Sequence, residues 1–425
     1  MKTWGRFGVV AAMLIALTAV HQLKTVRAAG GPLQGEGGPY RVLAPIESGN
    51  LLLFPVVRAE DRADKELTGE TPFITLDEGL KSGEVEVTEA GRARGLVRPR
   101  GSAHPLTRDN RDHVDLDGGD EVNTLVLVNN SKRPLLLLAG EIVTGGKQDR
   151  IVAKDRIVPA NADPIDLGVF CIEPGRWTES SSTFGAAGKS AANSFMVQPE
   201  VRERAMVDQD QQQVWNSVHG AISQMEVEAT PPASSDRPAS AGSYHRSLGT
   251  SSYAKAMQDS DVSKKVDEAA APLMNAREQV LAQLRDEHAV GVVVAVRGEI
   301  IWADLFANTD LLSRYWTKLV RSYAAESLTE GEDHAMATLA DAQRFLDAPS
   351  GGTENSEGEV GIYRYRELKS SGTETFVLES LLPGTGYDVH LSKMRLRGEE
   401  SHVVKPHPTN QPVFRPDFYR PGTIQ

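Results

Sequence analysis

The stretch from residue 135 to residue 177 constrains the fold of this chain more than any other part. It reads LLLLAGEIVTGGKQDRIVAKDRIVPANADPIDLGVFCIEPGRW. Its short apolar runs are bounded by glycine, proline and charged residues, a pattern that predicts buried β-strands. Gly145-Gly146 has the composition of a hairpin turn. Because polar side chains stand between the strands, we expect this block to form a functional site on a β scaffold.

Residues 50 to 177 are predicted to be mostly β-structure, with one short helix that Thr75 would cap. After residue 177 helices predominate, and Pro272 is expected to break the longest of them. A β-hairpin is predicted over residues 290–306, followed by an amphipathic helix. The apolar face of that helix, with spacings of three and four, comprises Leu312, Trp316, Leu319, Val320 and Tyr323.

These elements predict an α+β fold, in which a β-rich N-terminal half packs with a helical C-terminal half containing a returning β-hairpin. A chain of 425 residues is long enough for one large or two modest domains. The predicted segments are a signal peptide or anchor (1–29), the β-rich half (45–229), a flexible Pro/Ser/Gly-rich insertion (230–252), the helical/β half (253–394) and a Pro-rich tail (395–425).

The first 29 residues have the three parts of an export signal. Lys2 and Arg6 form a basic start, residues 7–20 are mostly apolar, and Val26-Arg27-Ala28 is a candidate cleavage site. The apolar run is shorter than the ~20 residues of a spanning helix. An uncleaved anchor is the alternative interpretation. We therefore expect a periplasmic, extracellular or membrane-anchored protein that touches the membrane only through this segment.

Charge and cysteine content narrow the function classes. The formal net charge is −12, and removal of the first 29 residues takes away four cations and no acid, which makes it −16. Such a surface repels phosphate backbones, so we expect no nucleic-acid partner. The only cysteine, Cys171, excludes an intramolecular disulfide. Its simplest role is that of a small buried apolar residue.

The block also contains candidate catalytic groups. If its strands are neighbours, Glu141 and Glu173 could share Arg150 or Arg176 and, with Cys171, form a paired-carboxylate or carboxylate–thiol site. Trp177 would supply a flat apolar wall. Lys147 and Gln148 follow the Gly-Gly turn, whose backbone amides could cradle an anion. The alternative is an Arg–Glu lattice that only pins strand ends.

Other motifs are weaker. Residues 112–121 form an acidic loop, but as a calcium-binding EF-hand it fails at its first and twelfth positions, His113 and Thr124. Ser252-Tyr253-Ala254-Lys255 matches Ser-x-x-Lys, yet the companion motifs of penicillin-recognising enzymes are missing. The histidines have no zinc spacing. We therefore expect no metal and no cofactor.

The block resembles the ARG and Rhodanese-Phosphatase-superfamily-associated protein domain family over roughly Pro45 to Met394. Residues that match the family pattern are Gly140, Glu141, Gly145, Lys147, Gln148, Arg150, Cys171, Glu173, Gly175, Arg176 and Trp177, and later Asp304, Phe306, Trp316 and Tyr323. The family's name implies association with ADP-ribosylglycohydrolases and rhodanese-phosphatases, and hence ADP-ribose or phosphate-bearing ligands. Asp149 and the export signal depart from the pattern, and an exported protein would meet little free nucleotide.

Two functions follow as hypotheses. The first is an exported ligand-binding or interaction module whose 140–177 block binds a small anionic or polar ligand. The second is a hydrolase acting on an ADP-ribose-like or phosphate-bearing substrate. In it Glu141 or Glu173 would be the general base or Cys171 the nucleophile, with arginines steadying negative charge. A purely structural envelope protein is a third possibility. The sequence identifies no protein partner.

Overall fold

The computed structural model describes residues 39–58, 72–89, 124–176, 178–188, 190, 193–229, 247–286, 289–329 and 331–396. The predicted export signal, the acidic loop 112–121, most of the 230–252 insertion, the 395–425 tail beyond residue 396 and Trp177 lie outside these residues. The described part contains both strands and helices in quantity, and the predicted α+β class is confirmed.

The strands are β1 (Tyr40–Val42), β2 (Ile46–Ser48), β3 (Leu51–Arg58), β4 (Ile74–Thr75), β5 (Val85–Glu89), β6 (Thr124–Asn129), β7 (Leu135–Leu137), β8 (Ile142–Thr144), β9 (Arg150–Val152), β10 (Arg156–Val158), β11 (Ile165–Cys171), β12 (Gly185–Ala186), β13 (Ala289–Val296), β14 (Glu299–Phe306), β15 (Thr353–Glu359), β16 (Tyr363–Ser370), β17 (Thr373–Ser380) and β18 (Asp388–Arg395). The helices are α1 (Leu76–Ser82), α2 (Pro199–Glu203), α3 (Gln211–Ala229), α4 (Tyr253–Gln258), α5 (Ser260–Asp286), α6 (Thr309–Ser327) and α7 (Leu339–Asp347), with a π-helical turn at Arg204–Asp208.

The largest sheet has nine strands, in the order β1-β3-β13-β14-β18-β17-β16-β15, with β2 also paired to β3. The predicted hairpin, β13–β14, lies at its centre. Strand β3 comes from the N-terminal half but pairs with β13, because its continuous apolar sequence LLLFPVVR is buried on both faces. The two halves therefore share one sheet rather than only packing against each other.

The 135–177 block contributes strands β7 to β11 to two smaller sheets, β10-β7-β4 and β12-β8-β9-β11-β6-β5. Strand β8 pairs with β9 and β9 pairs with β11, so that Cys171 stands opposite Arg150. The segments around residues 141 and 171 are therefore close but do not pair with each other. They belong to one small sheet, separated by the single strand β9.

Local signals predicted two helices well. Thr75 caps α1 by a capping box with Glu78, whose backbone amide donates to the Thr75 hydroxyl at 3.3 Å. The predicted apolar face of α6 is buried in full against the nine-stranded sheet. No helix in the described ranges is both long and apolar enough to cross a bilayer.

The predicted helix break at Pro272 is wrong. Helix α5 runs through Pro272 without interruption, and the chain bends instead at Asp259, whose ψ of 141° separates α4 from α5. Proline removes one backbone hydrogen bond from a helix. Burial of Val262, Val266, Ala270 and Leu273 against the core offsets that loss.

Candidate functional site

Arg176 clamps the turn of residues 145–149 to the end of β11. Its Nε donates to Glu173 Oε2 at 2.5 Å, and its Nη2 donates to Asp149 Oδ1 at 3.2 Å. Its two Nη groups also donate to the carbonyl oxygens of the turn's glycines, at 2.9 and 3.5 Å, and to Thr178 O at 3.0 Å. All five N–H groups of the guanidinium thus have acceptors inside the protein.

The backbone amides of this turn, predicted as a cradle for an anion, already bind carboxylates of the protein itself. The amide of Gly145 donates to Asp149 Oδ1 at 3.1 Å, and that of Lys147 donates to Glu89 Oε1 at 3.0 Å. Burial, reinforced by the charge of Glu173, raises the pKa of Asp149 above its ordinary value. The backbone amides of Gly145 and Lys147 therefore bind the side chains of Asp149 and Glu89.

Helix α4 closes the same cluster from the other side. The Ser252 hydroxyl donates to Asp149 Oδ2 at 2.9 Å, and Lys255 Nζ donates to Glu173 Oε1 at 3.1 Å. The Lys255 side chain is 61% exposed, whereas that of Glu173 is 3% exposed. Lys255 therefore lies on the solvent-facing side of the cluster. Glu173 lies on the buried side, where it also pairs with Arg176.

Gln148 differs from its neighbours because its carboxamide has no partner. The residue is fully buried, and neither its Oε1 nor its Nε2 has a hydrogen bond. Leaving a buried polar group unsatisfied costs about 1–3 kcal/mol. Lys147, beside it, is half-buried. Gln148 is thus the motif residue whose polar groups the protein does not use for its own folding.

Cys171 lies beneath the turn, opposite Arg150, and both residues are buried. Its backbone exchanges two hydrogen bonds with the Gln211 side chain, each of 2.9 Å. Burial raises the pKa of the Cys171 thiol, although the Arg150 guanidinium offsets part of the rise. The thiol is therefore protonated at neutral pH, the opposite of what a nucleophile requires.

The expectation that Glu141 and Glu173 share an arginine is wrong. Glu141 is fully buried and accepts from Lys318 Nζ at 2.5 Å and from the Leu138 amide at 2.8 Å. In the strand register Ile142 stands opposite Ile151, which places Glu141 level with Val169. Glu173 is four residues further along the chain, beyond the end of β11, and contacts Arg176 and Lys255 instead. The two acids consequently make separate ion pairs.

Lys318, from α6, joins Glu141 to Asp77 of α1, whose Oδ1 lies 2.7 Å from the same Nζ. Burial opposes the charge of Lys318, but Asp77 and Glu141 together raise its pKa above the ordinary value. Burial raises the pKa of Glu141, and Lys318 only partly offsets the rise. The group thus has two acids and one cation, and Glu141 is its fully buried acid.

A second polar cluster, which we call the buried network, consists of Asp155, Arg202, Asp304, Tyr323, His390 and Ser392. Arg202 donates from Nη1 and Nη2 to the two carboxylate oxygens of Asp304, at 2.8 and 3.1 Å. His390 bridges Asp304, 3.2 Å from Nε2, and Asp155, 2.6 Å from Nδ1. Hydroxyls of Tyr323 and Ser392 also donate to Asp304. Two cations balance two acids.

Gly140 lies between Glu141 and the buried network, and the geometry requires glycine there. Its φ is +87°, and a Cβ would lie 2.5 Å from Cγ of Arg202. Immediately before it, the Ala139 amide donates to Asp155 Oδ1 at 2.8 Å. The glycine of the motif's Gly-Glu pair thus allows the chain before β8 to pack directly against the Arg202 side chain.

The buried network predicts a specific pH dependence of stability. The carboxylates of Asp155 and Asp304 outweigh burial and raise the pKa of His390 to about 9. Because the unfolded value is about 6.5, the contribution of His390 is complete below pH ~6.5 and is lost as pH rises through 9. In unfolding measurements, the stability gap between the wild type and His390→Gln should therefore shrink by roughly 3 kcal/mol between pH 6 and pH 10.

The exposed His334 supplies the control for this series. Replacement of His334 by glutamine should leave a gap that stays small and constant over the same range. A gap for His390→Gln that does not change with pH would contradict the assignment of a charged imidazole that lies between two carboxylates to His390.

Sequence reasoning missed Asp155, Arg202, Lys318 and His390 as functional or structural charges. For Lys318 the sequence held a signal of burial, because this cation lies next to the apolar face of α6 and a buried cation needs an acidic partner. The other three had none, since their partners are remote in sequence. Arg202 and Asp304, for example, are separated by 102 positions.

The described residues offer no group of three or more His, Cys, Asp or Glu side chains that could hold a metal ion. Two surface hollows, of about 610 and 340 Å³, lie along α5 and beside the β2–β3 turn. Neither is lined by a motif residue. The chemistry of the motif is therefore concentrated in side-chain networks rather than in these hollows.

Fold and site together define an α+β protein. Its motif lies on a small sheet, and buried ion pairs connect the motif region to the nine-stranded sheet and to helix α6. The family model of the ARG and Rhodanese-Phosphatase-superfamily-associated Protein domain, ARPP-1, matches residues 39–394. The chain belongs to this family, as its motifs predicted. No curated protein and no solved structure matches it.

Proposed function

We propose that the protein is an exported binding module for a small polar or anionic ligand, recognised by the 145–176 part of the motif. The observation that carries the proposal is the Gln148 carboxamide, which is buried and unsatisfied. Such a group lowers stability unless something else binds it. A carboxamide offers one acceptor and two donors, so it suits a ligand that presents both.

The solvent-facing side of the cluster supports an anionic component in that ligand. Lys255 donates one described hydrogen bond, to Glu173, and its side chain is mostly exposed. An ammonium group has three donors. The amide of Gln148 is fully enclosed, so we expect ligand entry to involve a shift of α4, which covers the turn through Ser252 and Lys255.

The alternative of a hydrolase fits the geometry less well. Glu173 already accepts from Arg176, Lys255 and the Asp149 amide, so its carboxylate oxygens are occupied by contacts within the protein. Glu141 is fully buried and paired with Lys318, apart from Glu173. A raised thiol pKa disfavours Cys171 as nucleophile. The basic start and apolar run of the N-terminal segment support export. The family's name supports the class of ligand.

The substitution Gln148→Met tests the role of the carboxamide. It removes an unsatisfied buried polar group at nearly constant volume, so the ligand-free protein should be unchanged or more stable by about 1 kcal/mol in urea unfolding. The matched control is Gln211→Met, which removes two formed hydrogen bonds to Cys171 and should cost about 1–2 kcal/mol. An equal loss in both variants would show that Gln148 is structural.

Ligand binding itself is measured by thermal shift with ADP-ribose and with phosphorylated sugars. A ligand at about 100 times its Kd adds about 2.7 kcal/mol of stability. The shift should disappear in Gln148→Met and weaken in Lys255→Met. A shift of the same size in wild type and Gln148→Met would place the ligand elsewhere and contradict the proposal.

A further inference from the structure

A group of charged residues lies on the face of the nine-stranded sheet that α7 also covers, at the end where β14 finishes and β18 begins. We call this group the arginine shelf; its members are Tyr40, Arg58, Arg364, Arg366, Glu379 and Asp388. The strand alternation puts Arg58 on the same face as Phe54 and Val56, which pack near α7. Tyr40 is the register partner of Arg58.

The other half of the shelf reaches the same face from strands β16 to β18. Arg366 stands opposite Val377, which stands opposite Leu391, a residue packed against the α7 cluster. Arg364 stands opposite Glu379, which pairs with Asp388 across a β-bulge. Residues from both ends of the chain therefore meet on one surface.

The arginines of the shelf outnumber its acids. Arg364 donates from Nε to Glu379 at 2.7 Å, and Arg366 donates from Nη2 to Asp388 at 3.1 Å. Among the described contacts, Arg58 has no acidic partner. It donates to the Ala307 carbonyl at 3.1 Å, and its Cζ lies 5.7 Å from the ring centre of Tyr40. One positive charge remains on a chain whose net charge is −12.

Two guanidinium donors on the shelf are also unused. The Nε atoms of Arg58 and Arg366 are buried and have no hydrogen-bond acceptor, and Arg366 as a residue is only 6% exposed. Hydrogen bonds of charged groups are stronger than those of neutral ones, so leaving two such donors without acceptors is costly. A bound oxyanion would supply acceptors for them.

Arg58 and Arg366 approach the start of β18 from opposite sides of the sheet order, from strands β3 and β16 respectively. The Ala307 carbonyl accepts from Arg58, while the Ala307 amide donates to Val389 O at 2.9 Å. Val389 adjoins Asp388, to which Arg366 is bonded. Burial raises the pKa of Tyr40 above its ordinary value, so its hydroxyl remains a donor beside them.

We propose that the arginine shelf binds a small oxyanion, of the carboxylate or phosphate kind, between Arg58 and Arg366 with Tyr40 at its edge. Guanidinium groups present their donors in a planar fork that matches the oxygens of such anions. Asp388 and Glu379 are already paired with arginines, and they limit the shelf to anions of low charge. This site is separate from Gln148 and does not depend on the function proposed above.

The test is calorimetric titration of the full-length protein with inorganic phosphate and, separately, with acetate, at constant ionic strength in chloride. Saturable binding of at least one anion is expected, and the preferred one identifies the source. Arg58→Gln, which breaks no described ion pair, should weaken binding by about 10-fold or more. Tyr40→Phe should weaken it less.

Arg395→Gln is the control, because Arg395 lies at the opposite end of β18, outside the shelf, where its Nε donates to the Ile300 carbonyl at 3.0 Å and lies 3.6 Å from Glu299. It should leave the affinity within about 2-fold, since it acts on the anion only through the screened long-range field. No saturable binding of either anion would overturn the proposal. Equal weakening by Arg395→Gln and Arg58→Gln would also overturn it, because it would reflect general electrostatic attraction.

Discussion

Replacement of Arg202 by methionine is expected to lower the free energy of unfolding by about 3–5 kcal/mol, because it leaves Asp304 buried without its main counter-charge. Asp304 is fully buried, and although burial opposes its charge, Arg202 and His390 hold its pKa well below the ordinary value. Without Arg202, two carboxylates would face one imidazolium. Urea unfolding followed by tryptophan fluorescence measures the loss.

Arg204→Met is the control for this prediction. Arg204 lies two positions away and pairs with Asp208 at 2.8 Å, but both side chains are partly exposed. Exposed pairs of this kind contribute no more than about 1 kcal/mol. Similar losses in Arg202→Met and Arg204→Met would mean that burial does not set the strength of the Asp304 pair.

Replacement of Lys318 by methionine is expected to have the second large effect, again about 3–5 kcal/mol near neutral pH, since Glu141 would be buried without a cation. The penalty should shrink toward pH 4. The folded pKa of Glu141 is already raised by burial, and without Lys318 it rises further above the unfolded value. The loss relative to the wild type therefore grows as pH rises through the raised folded pKa of Glu141 in the wild type, where Glu141 ionises beside Lys318 but stays protonated in the variant. Thermal and urea unfolding between pH 4 and pH 8 measure it.

Two further variants make this result specific. Adding Glu141→Gln to Lys318→Met should recover part of the loss, because it removes the stranded charge. Lys255→Met, which breaks the mostly exposed pair with Glu173, should cost at most about 1 kcal/mol. A double variant no more stable than Lys318→Met alone would contradict the charge-burial explanation.

Much of the local structure could be predicted from short-range signals. The Thr75 cap, the strand on either side of Gly145-Gly146 and the apolar face of α6 each depend on residues only a few positions apart. The motif string was long enough to predict the family.

The partners of the motif charges could not be predicted in this way. Glu141 was expected near Arg150 or Arg176, but strand register sets it about four residues from Glu173, and α6 then supplies Lys318 from 177 positions away. Helix α5 likewise continues through Pro272 because the core buries the surrounding apolar residues. Local propensity predicted the opposite.

By itself, then, the sequence determined the family, the α+β class, the turns and caps, and which segment carries the motif. Only the tertiary structure decided that Glu141 pairs with Lys318, that Arg202 and His390 neutralise Asp304, and that Gln148 alone among the motif amides and carboxylates is left without a partner. The reason is physical. Hydrophobic periodicity and turn chemistry are short-range properties of the chain, whereas the partner of a buried charge depends on which distant segment the packed core brings within about 3 Å of it.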